Sequence, residues 1–292
     1  MKSCLNVGGQ AVIEGVMMRS PNYVATAVRT PDNKIVVQKK KQVSWTKKNK
    51  LFGWPFVRGI IILGETLSLG MKALSWSTDQ SLGEEENVSG WEMFFSILVG
   101  VILALVIFKF LPLLLANIFK NKLGLNNFLF NIIDGAIKIG MFVAYVWIIS
   151  LMKDVRRVFQ YHGAEHKAVH CYEKGLKLNV KNVKKHTTLH PRCGTAFLLI
   201  VIIVSIIFYM FIPFNLNLAT KYLLRILLLP LIAGVAYEII KASGKYDNWL
   251  TRIISAPGLW MQKITTKEPD NKQIEVGIKA LETVLKAEKV KF

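Results

Sequence analysis

Long apolar runs separated by polar segments dominate the pattern of this chain. A helical span needs about 20 apolar residues to cross a hydrocarbon core of about 30 Å. Four runs meet this length: residues 92–115, 128–152, 194–214 and 218–240. We therefore predict a mostly α-helical, polytopic membrane protein with about four transmembrane helices, an amphipathic interfacial helix and a small cytosolic α/β portion.

The N-terminal residues have a different, strand-like pattern. Apolar and β-branched residues form runs at 10–18, 23–29 and 34–38, and the sequence Thr-Pro-Asp-Asn between the last two runs predicts a hairpin turn. Glu14 is a lone carboxylate in the first run. Two interpretations of it stay open, a role in a site and an edge strand in which Glu14 pairs with Arg19.

The whole pattern divides the chain into six segments. A β-rich element comes first, followed by the interfacial helix with its acidic linker and by transmembrane helices 1 and 2. A His/Cys-rich cytosolic segment, transmembrane helices 3 and 4 and a cytosolic helical tail complete the chain. The corresponding residues are 1–50, 51–90, 91–152, 153–193, 194–240 and 241–292.

Two details of these segments guide the interpretation. Arg58, Glu65 and Lys72 recur every seven residues and so share one helical stripe, which favours an interfacial helix over a lipid-exposed span. The tail ends in a predicted helix over residues 271–289 with an apolar stripe of helical periodicity.

Composition agrees with a membrane protein. The chain is 52% hydrophobic with a mean hydropathy of +0.36, more apolar than is typical of a soluble protein of its length. Its 38 basic and 19 acidic residues give a net charge of +19. In a membrane protein this charge suits anionic lipids, so the expected partners are membrane lipids and a membrane-protein substrate or partner, with nucleic acid reached only through a ribosome.

The basic residues also predict an orientation. Twelve precede the first span, two lie in the 116–127 loop, ten in residues 153–193, none in residues 215–217 and ten after residue 240. Large and small numbers alternate, which is what four spans with both termini in the cytoplasm require. The 153–193 segment is then cytosolic, and span two is expected to continue past Met152 into it as one helix.

That segment contains every histidine of the chain. His162, Glu165 and His166 form the pattern HxxEH, and residues four apart lie on one face of a helix, where two imidazoles can hold one ion. Glu165 is then placed to take a proton from water, as in inverted zinc-hydrolase motifs. Lipid phosphate binding, or simple solvation of the histidines, is the competing interpretation.

Further residues are candidates for the same centre. Arg192 is a second catalytic candidate, able to hold an anionic group of the substrate. The nitrogen and sulfur donors favour zinc among the divalent metals. Glu238 is either a ligand from a distant helix or a headgroup anchor paired with Lys241. The candidate ligands beyond the HxxEH pair are His170, His190, Cys193 and Glu238.

Four blocks of sequence resemble a known family. They are GGQAVIEGVMMRSP, YHGAEHKAVHCYE, HPRCGTAF and APGLWMQKITTKEPDNKQIEVGIKAL, and they extend from residue 8 to about residue 281. Together they resemble the bacterial DUF1385 (YqhQ-like) membrane protein family. The resemblance implies a metal-dependent enzyme of the bacterial cytoplasmic membrane. Its metal motif would comprise His162, Glu165 and His166, with His190 and Cys193 in a second block.

Two functional hypotheses follow. The first is a membrane-embedded, metal-dependent hydrolase that acts on a membrane protein or peptide or on a lipid. The second is a non-catalytic scaffold or assembly factor that a metal stabilises and that binds lipid, a ribosome or a protein partner. A transporter is a weaker hypothesis, because the charged residues within the spans form no evident relay.

Overall fold

The computed structural model describes residues 5–48, 50–82, 90–191, 193–213, 215–245 and 248–290. The chain divides into two compact units. The mixed unit, which contains the β-sheet, comprises Met1–Asn87, Ile149–Cys193 and Leu259–Phe292. The helical unit comprises Val88–Ile148 and Gly194–Gly258.

The described chain is mostly helical, as predicted. Strands β1 to β4 come first, at Gly8–Val12, Gly15–Arg19, Tyr23–Arg29 and Ile35–Lys41. They are followed by α1 Trp45–Lys48, a 3-10 turn Leu51–Gly53, α2 Val57–Leu82, α3 Gly90–Leu105, a π-helical turn Val106–Phe110, α4 Leu111–Leu123 and α5 Asn127–Ile149. The remaining helices are α6 Lys153–Glu173, α7 Val180–Lys184, α8 Thr195–Tyr209, α9 Leu218–Leu227, α10 Leu229–Lys245, α11 Trp249–Thr265 and α12 Asn271–Ala287.

The four described strands form one antiparallel sheet in chain order. The hairpin predicted at residues 30–33 is confirmed and joins β3 to β4. The single strand expected over residues 10–18 is wrong, because β1 and β2 form a tight hairpin in which Val12 is opposite Gly15. Glu14 makes this turn with a φ of +50°, in the left-handed region that few non-glycine residues adopt.

Each face of the sheet carries its own core, as the alternation of side chains along a strand requires. Val16 and Ala27 belong to the cluster that includes residues of α6 and α12. Met17 and Val28 belong to a second cluster, which Ala73 of α2 completes. The sheet is therefore covered by helices on both faces, which makes it an interior layer of the mixed unit.

The C-terminal helix closes the larger of these cores. Ile274, Leu281 and Leu285 are fully buried, so the stripe expected from helical periodicity is confirmed. Gly277 allows α12 to approach α6 closely, because a Cβ at this position would lie 3.2 Å from the carbonyl oxygen of Ala164. α6, which contains the HxxEH pattern, is thus fixed between α12 and the sheet.

Glu65 of α2 is buried and ion-paired. Its carboxylate accepts a hydrogen bond from Ser44 Oγ at 3.0 Å and lies 3.1 Å from Nη2 of Arg19. Arg19 therefore does not pair with Glu14. The carboxylate of Glu14 instead accepts hydrogen bonds from Nε and Nη2 of Arg157 in α6.

Large apolar side chains of α2 and of the segment before it are exposed. This distribution suits the expected interfacial helix, which stays a prediction. The exposed residues include Trp54, Phe56, Ile60, Leu67 and Leu74.

Two to three stretches of the described chain are long and apolar enough to cross a membrane, fewer than the four predicted. Leu98–Lys120 and Asn127–Ile149 qualify with 23 residues each. Leu218–Leu227 and Leu229–Ser243 form a third only if the pair, which is bent by 45°, acts as one span. The predicted span at 194–214 holds the shorter apolar helix Phe197–Tyr209, whose length of about 20 Å falls short of the hydrocarbon core.

Two local expectations near the histidine segment are wrong. α5 ends at Ile149 and α6 begins at Lys153, because Met152 is extended with a ψ of 135° and interrupts the helix. Residues 175–185 contain α7 rather than the expected short strand. The Asn179 side chain caps α7 by accepting a hydrogen bond from the backbone N–H of Asn182.

The start of α12 gives a test of the fold. Asp270 and Gln273 form a capping box, with Asp270 Oδ1 accepting a hydrogen bond from the Gln273 N–H at 2.8 Å. We expect Asp270→Ala to lower the free energy of unfolding by about 1 kcal/mol, the usual effect of losing an N-cap. Denaturant unfolding in detergent measures it, with the exposed Asp32→Ala as the control. Equal stability of both variants would contradict a role for the cap.

Candidate metal centre

The first group of potential ligands joins α6 to the segment that ends at Cys193. Nε2 of His162 lies 3.2 Å from Sγ of Cys193. The rings of His162 and His166 have centroids 4.4 Å apart. One ligand atom from each of the three residues lies within 4.8 Å of the others, a spacing that can hold one metal ion. The convergence of the two histidines on one face, expected from their spacing, is therefore observed.

Main-chain carbonyls fix the tautomers of both imidazoles. Nδ1 of His162 lies 2.9 Å from the carbonyl oxygen of Thr265, and Nδ1 of His166 lies 2.5 Å from that of Thr188. A carbonyl only accepts hydrogen bonds, so each Nδ1 carries a proton and donates it. In the neutral ring, Nε2 then presents a lone pair. This is the arrangement typical of metal-ligating histidines, whose other nitrogen donates to a carbonyl or carboxylate.

Gly163 lets the segment after α11 lie directly against α6. A Cβ at this position would lie 2.1 Å from the carbonyl oxygen of Lys267, so no side chain fits. The Lys267 N–H donates a hydrogen bond to the carbonyl oxygen of Phe159 at 2.9 Å, which binds the segment after α11 to α6. Glycine within HxxEH thus allows the backbone two residues after Thr265 to approach α6 closely.

Gln262 of α11 holds the segment that carries the second block of ligands. Its Oε1 accepts a hydrogen bond from the His190 N–H at 2.7 Å, and its Nε2 donates one to the His190 carbonyl oxygen at 2.9 Å. The Gln262 side chain is fully buried, so both hydrogen bonds are shielded from water. The backbone of His190, three residues before Cys193, is therefore held in place by α11.

Glu165 lies beside the first group. It is buried, and its Oε2 lies 3.4 Å from Nε2 of His166. The Nδ1–H tautomer of His166 makes both of these atoms acceptors, and a cation bound near them would be favourable. Gly9 of β1 provides the room for this carboxylate, because a Cβ there would lie 3.2 Å from Cγ of Glu165.

A second group of potential ligands lies one turn further along α6. It comprises His170, Glu173 and His190, again with ligand atoms within 4.8 Å of one another. Nε2 of His190 lies 3.4 Å from Oε2 of Glu173, and the rings of His170 and His190 are 4.5 Å apart. The structure thus groups His170 and His190 with Glu173, separately from His162 and Cys193. The sequence had placed them in one shared set of ligands.

The histidines of the second group are held in their neutral form. Burial lowers the pKa of His170 to about 4 and also lowers the pKa of His190. Nε2 of His170 donates a hydrogen bond to the carbonyl oxygen of Leu189 at 2.8 Å, so its Nδ1 has the lone pair. A neutral imidazole is the form that binds metals, so this group can accept a cation at neutral pH.

Sequence reasoning missed several residues of these groups. Glu173 follows His170 by three positions, a spacing that places both on one helical face and that was available as a signal. The carbonyls of Thr188 and Thr265 and the Gln262 amide have no comparable signature, because they act through backbone approach.

The two remaining predicted site residues are Arg192 and Glu238. Arg192 lies outside the described residues. Glu238 belongs to α10 of the helical unit, and neither group of ligands found in the described chain includes it. Their site roles stay predictions.

The protein thus combines a four-stranded sheet, apolar helices that can span a membrane and paired histidines on one helix. The family described as "Protein of unknown function (DUF1385)" matches residues 54–287. The chain is 34% identical over 296 residues to the "Uncharacterized protein YqhQ" of Bacillus subtilis (strain 168), covering 96% of this chain and 92% of that protein. It therefore belongs to the DUF1385 family. No solved structure matches it.

The first group predicts a specific effect of one substitution. We expect His166→Ala to weaken zinc binding by about 100-fold or more, because even the loss of a ligand's hydrogen-bond partner costs about 10–100-fold. Competition with a chromophoric chelator measures the affinity of the purified protein. His186→Ala, a histidine of the same segment outside both groups, is the control. Unchanged affinity in His166→Ala would exclude the HxxEH pair as the ligands.

Proposed function

We propose that this protein is an integral membrane, metal-dependent hydrolase. The observation that carries the proposal is the pair of imidazoles on α6, whose Nδ1 atoms are anchored by main-chain carbonyls and which lie within ligand spacing of a cysteine thiol. A carboxylate, Glu165, lies next to them. This combination of two anchored histidines, a thiol and an acid on one helix and its neighbouring segment suits a catalytic metal centre better than a purely polar core.

His162, His166 and Cys193 would hold the metal. Nitrogen and sulfur donors favour zinc, and three protein ligands leave a position for water or substrate. Zinc bound there would supply Lewis acidity, polarising a carbonyl or phosphoryl oxygen and making water acidic near neutral pH. Each Nδ1 donates a hydrogen bond to a main-chain carbonyl. These hydrogen bonds hold both rings in place, so the ligands need not move to hold the metal.

Glu165 is the proposed general base. Its Oε2 is 3.4 Å from the ligand atom of His166, so the carboxylate lies at the edge of the group and within reach of a proton on water held there. Burial between α6 and β1 holds this side chain in place. The same carboxyl group, once protonated, can return its proton to the leaving group.

The substrate classes that suit such a site are a peptide bond in a membrane protein and a lipid headgroup ester. Both are available to a protein whose helical unit holds two to three helices able to span a membrane. Arg192, adjacent in sequence to Cys193, is proposed to hold an anionic group of the substrate.

A metal-stabilised scaffold is the second candidate function. His166 is 2% exposed and Cys193 9% exposed, and burial of this kind is common in structural zinc sites. A metal there would link α6 to the segment that ends at Cys193. In this case the net charge of +19 would serve contacts with anionic lipid, a ribosome or a protein partner.

Glu165→Gln separates the two functions. We expect this variant to keep its zinc but to hydrolyse substrate about 10²–10⁴-fold more slowly, because the amide cannot accept the proton. Wild-type and variant proteins in nanodiscs are each incubated with a membrane lipid extract and with a membrane-peptide mixture. Mass spectrometry of the products measures the rates.

Glu282→Gln on α12 is the matched control and should retain the wild-type rate. Products formed equally by wild type and Glu165→Gln would exclude the general-base role. Zinc-loaded wild type that forms no product from either mixture would contradict the hydrolase and favour the scaffold.

For the location, we propose the bacterial cytoplasmic membrane, with both termini and the histidine segment in the cytoplasm. Ten basic residues between positions 153 and 193 and ten after position 240, against two in the 116–127 loop, support this orientation. In this orientation Leu98–Lys120 and Asn127–Ile149, which are long and apolar enough to cross, would separate the N-terminus from the histidine segment. α8 and the bent pair α9–α10 must then together enter and leave the membrane from the same side.

Reporter fusions test this orientation. We expect green fluorescent protein fused after residue 292 to fluoresce, because it folds in the cytoplasm, and alkaline phosphatase fused after Gly124 to be active outside it. The reciprocal fusions are the controls and should be inactive. Active alkaline phosphatase at the C-terminus would show an odd number of crossings and contradict the proposed location of the tail.

A further inference from the structure

The second group of potential ligands combines nitrogen and oxygen donors from two parts of the chain. His170 and Glu173 lie on the last turn of α6, and His190 lies in the segment that follows α7. A ligand atom of each residue lies within 4.8 Å of those of the other two. Two imidazoles and one carboxylate are the protein ligands of open zinc sites and of non-haem iron(II) sites.

Hydrogen bonds with the neighbouring chain hold both histidines of this group in place. The carbonyl oxygen of Leu189 accepts a hydrogen bond from Nε2 of His170 at 2.8 Å, which leaves the lone pair of that ring on Nδ1. Gln262 binds both the N–H and the carbonyl oxygen of His190. Metal-ligating histidines are commonly oriented by a carbonyl in the way that His170 is. The group is therefore supported by the fold before any ion binds.

The spacing of His190 and Glu173 suits two ligands of one ion. Nε2 of His190 and Oε2 of Glu173 are 3.4 Å apart. A charge-assisted hydrogen bond is shorter, at about 2.7–2.9 Å. Two ligands that each lie about 2.0–2.1 Å from a tetrahedral zinc ion are roughly 3.3–3.4 Å from each other. The distance in the structure thus matches a pair of metal ligands more closely than a direct ion pair.

The two groups of ligands lie on successive turns of α6. His162 and His170 are eight residues apart, which separates their backbones by about 12 Å along the helix axis. Among the residues that the structure describes, no ligand belongs to both groups. Two ions are therefore needed to occupy them, one with nitrogen and sulfur donors and one with nitrogen and oxygen donors.

The second group is partly open to water. The side chain of Glu173 is 26% exposed, whereas that of His190 is 7% exposed. An ion can therefore reach the carboxylate from solvent without any opening of the core. Three protein ligands also leave a position that water can fill.

We propose that His170, Glu173 and His190 form a second metal site, which binds one divalent transition-metal ion. Imidazole ligands favour zinc and iron(II) over magnesium and calcium, which prefer oxygen ligands. An ion there links the end of α6 to the segment before Cys193. The site does not depend on the proposed hydrolytic function, because it shares no ligand with the first group.

Metal analysis of the full chain in detergent tests the second site. The protein is stripped with a chelator, loaded with Zn²⁺ and passed through a desalting column, and its metal content is measured by mass spectrometry. We expect about two ions per chain in the wild type and about one in His170→Ala and in Glu173→Ala, because loss of a ligand weakens binding by about 100-fold or more. Glu282→Ala on α12 is the matched control and should retain the wild-type content.

Cobalt(II) distinguishes the two sites, because a cobalt–thiolate bond has a charge-transfer absorption in the near ultraviolet and the second site has no thiolate. Glu173→Ala should bind one ion fewer and keep this absorption. Cys193→Ser should lose the absorption and keep the ion at the second site.

Unchanged metal content in both His170→Ala and Glu173→Ala would overturn the second site, and so would a wild type that binds only one ion, at the thiolate. Loss of the thiolate absorption from Glu173→Ala with an unchanged circular dichroism spectrum would also overturn it, because the two sites would then not be separate. A wild type without the thiolate absorption, whose bound ion depends on His170, would support the second site and count against the first group and the proposed hydrolase.

Discussion

Two hydrogen bonds from imidazole to main-chain carbonyl determine what the histidines of α6 can do. The carbonyls of Thr188 and Thr265 accept hydrogen bonds from the two Nδ1 atoms, which leaves the Nε2 lone pairs free, and Nε2 of His162 lies 3.2 Å from Sγ of Cys193. A free imidazole exchanges tautomers and rotates, and its affinity for an ion would be correspondingly lower. The arrangement of donors thus depends on where the backbone approaches α6, and Gly163 permits the close approach of Lys267, two residues after Thr265.

The mixed unit supplies the rigidity that this geometry needs. α6 packs between α12 and the sheet, and ion pairs fix it at separate points along its length. Arg157, near its start, binds Glu14 in the β1–β2 turn, and the buried Lys167 binds Glu268 in the segment after α11. The groups on α6 are therefore positioned by a helix packed against α12, α7, β1 and β2 of its own unit, and ligands on such elements are placed more precisely than ligands on loops.

Periodicity in the sequence predicted the parts of this structure that depend on local order. The helical stripe of α12, the hairpin between β3 and β4 and the shared face of His162 and His166 all follow from repeat lengths. The break at Met152, the hairpin turn at Glu14 and the shortness of α8 do not follow from repeat lengths. Each depends on where the backbone leaves the conformation of the helix or strand. The carbonyl partners of the imidazoles could not be predicted from the sequence either, because any residue type supplies a carbonyl.

The buried charges of the helical unit show the same limit of prediction from sequence. Asp134 and Lys138 are four residues apart on α5 and form an ion pair, but Arg225 from another helix binds the same carboxylate oxygen. The sharing of one carboxylate by two cations is therefore a property of the tertiary arrangement. A buried ionic cluster is often no more stable than apolar residues of the same volume, so it does not strengthen the fold by itself.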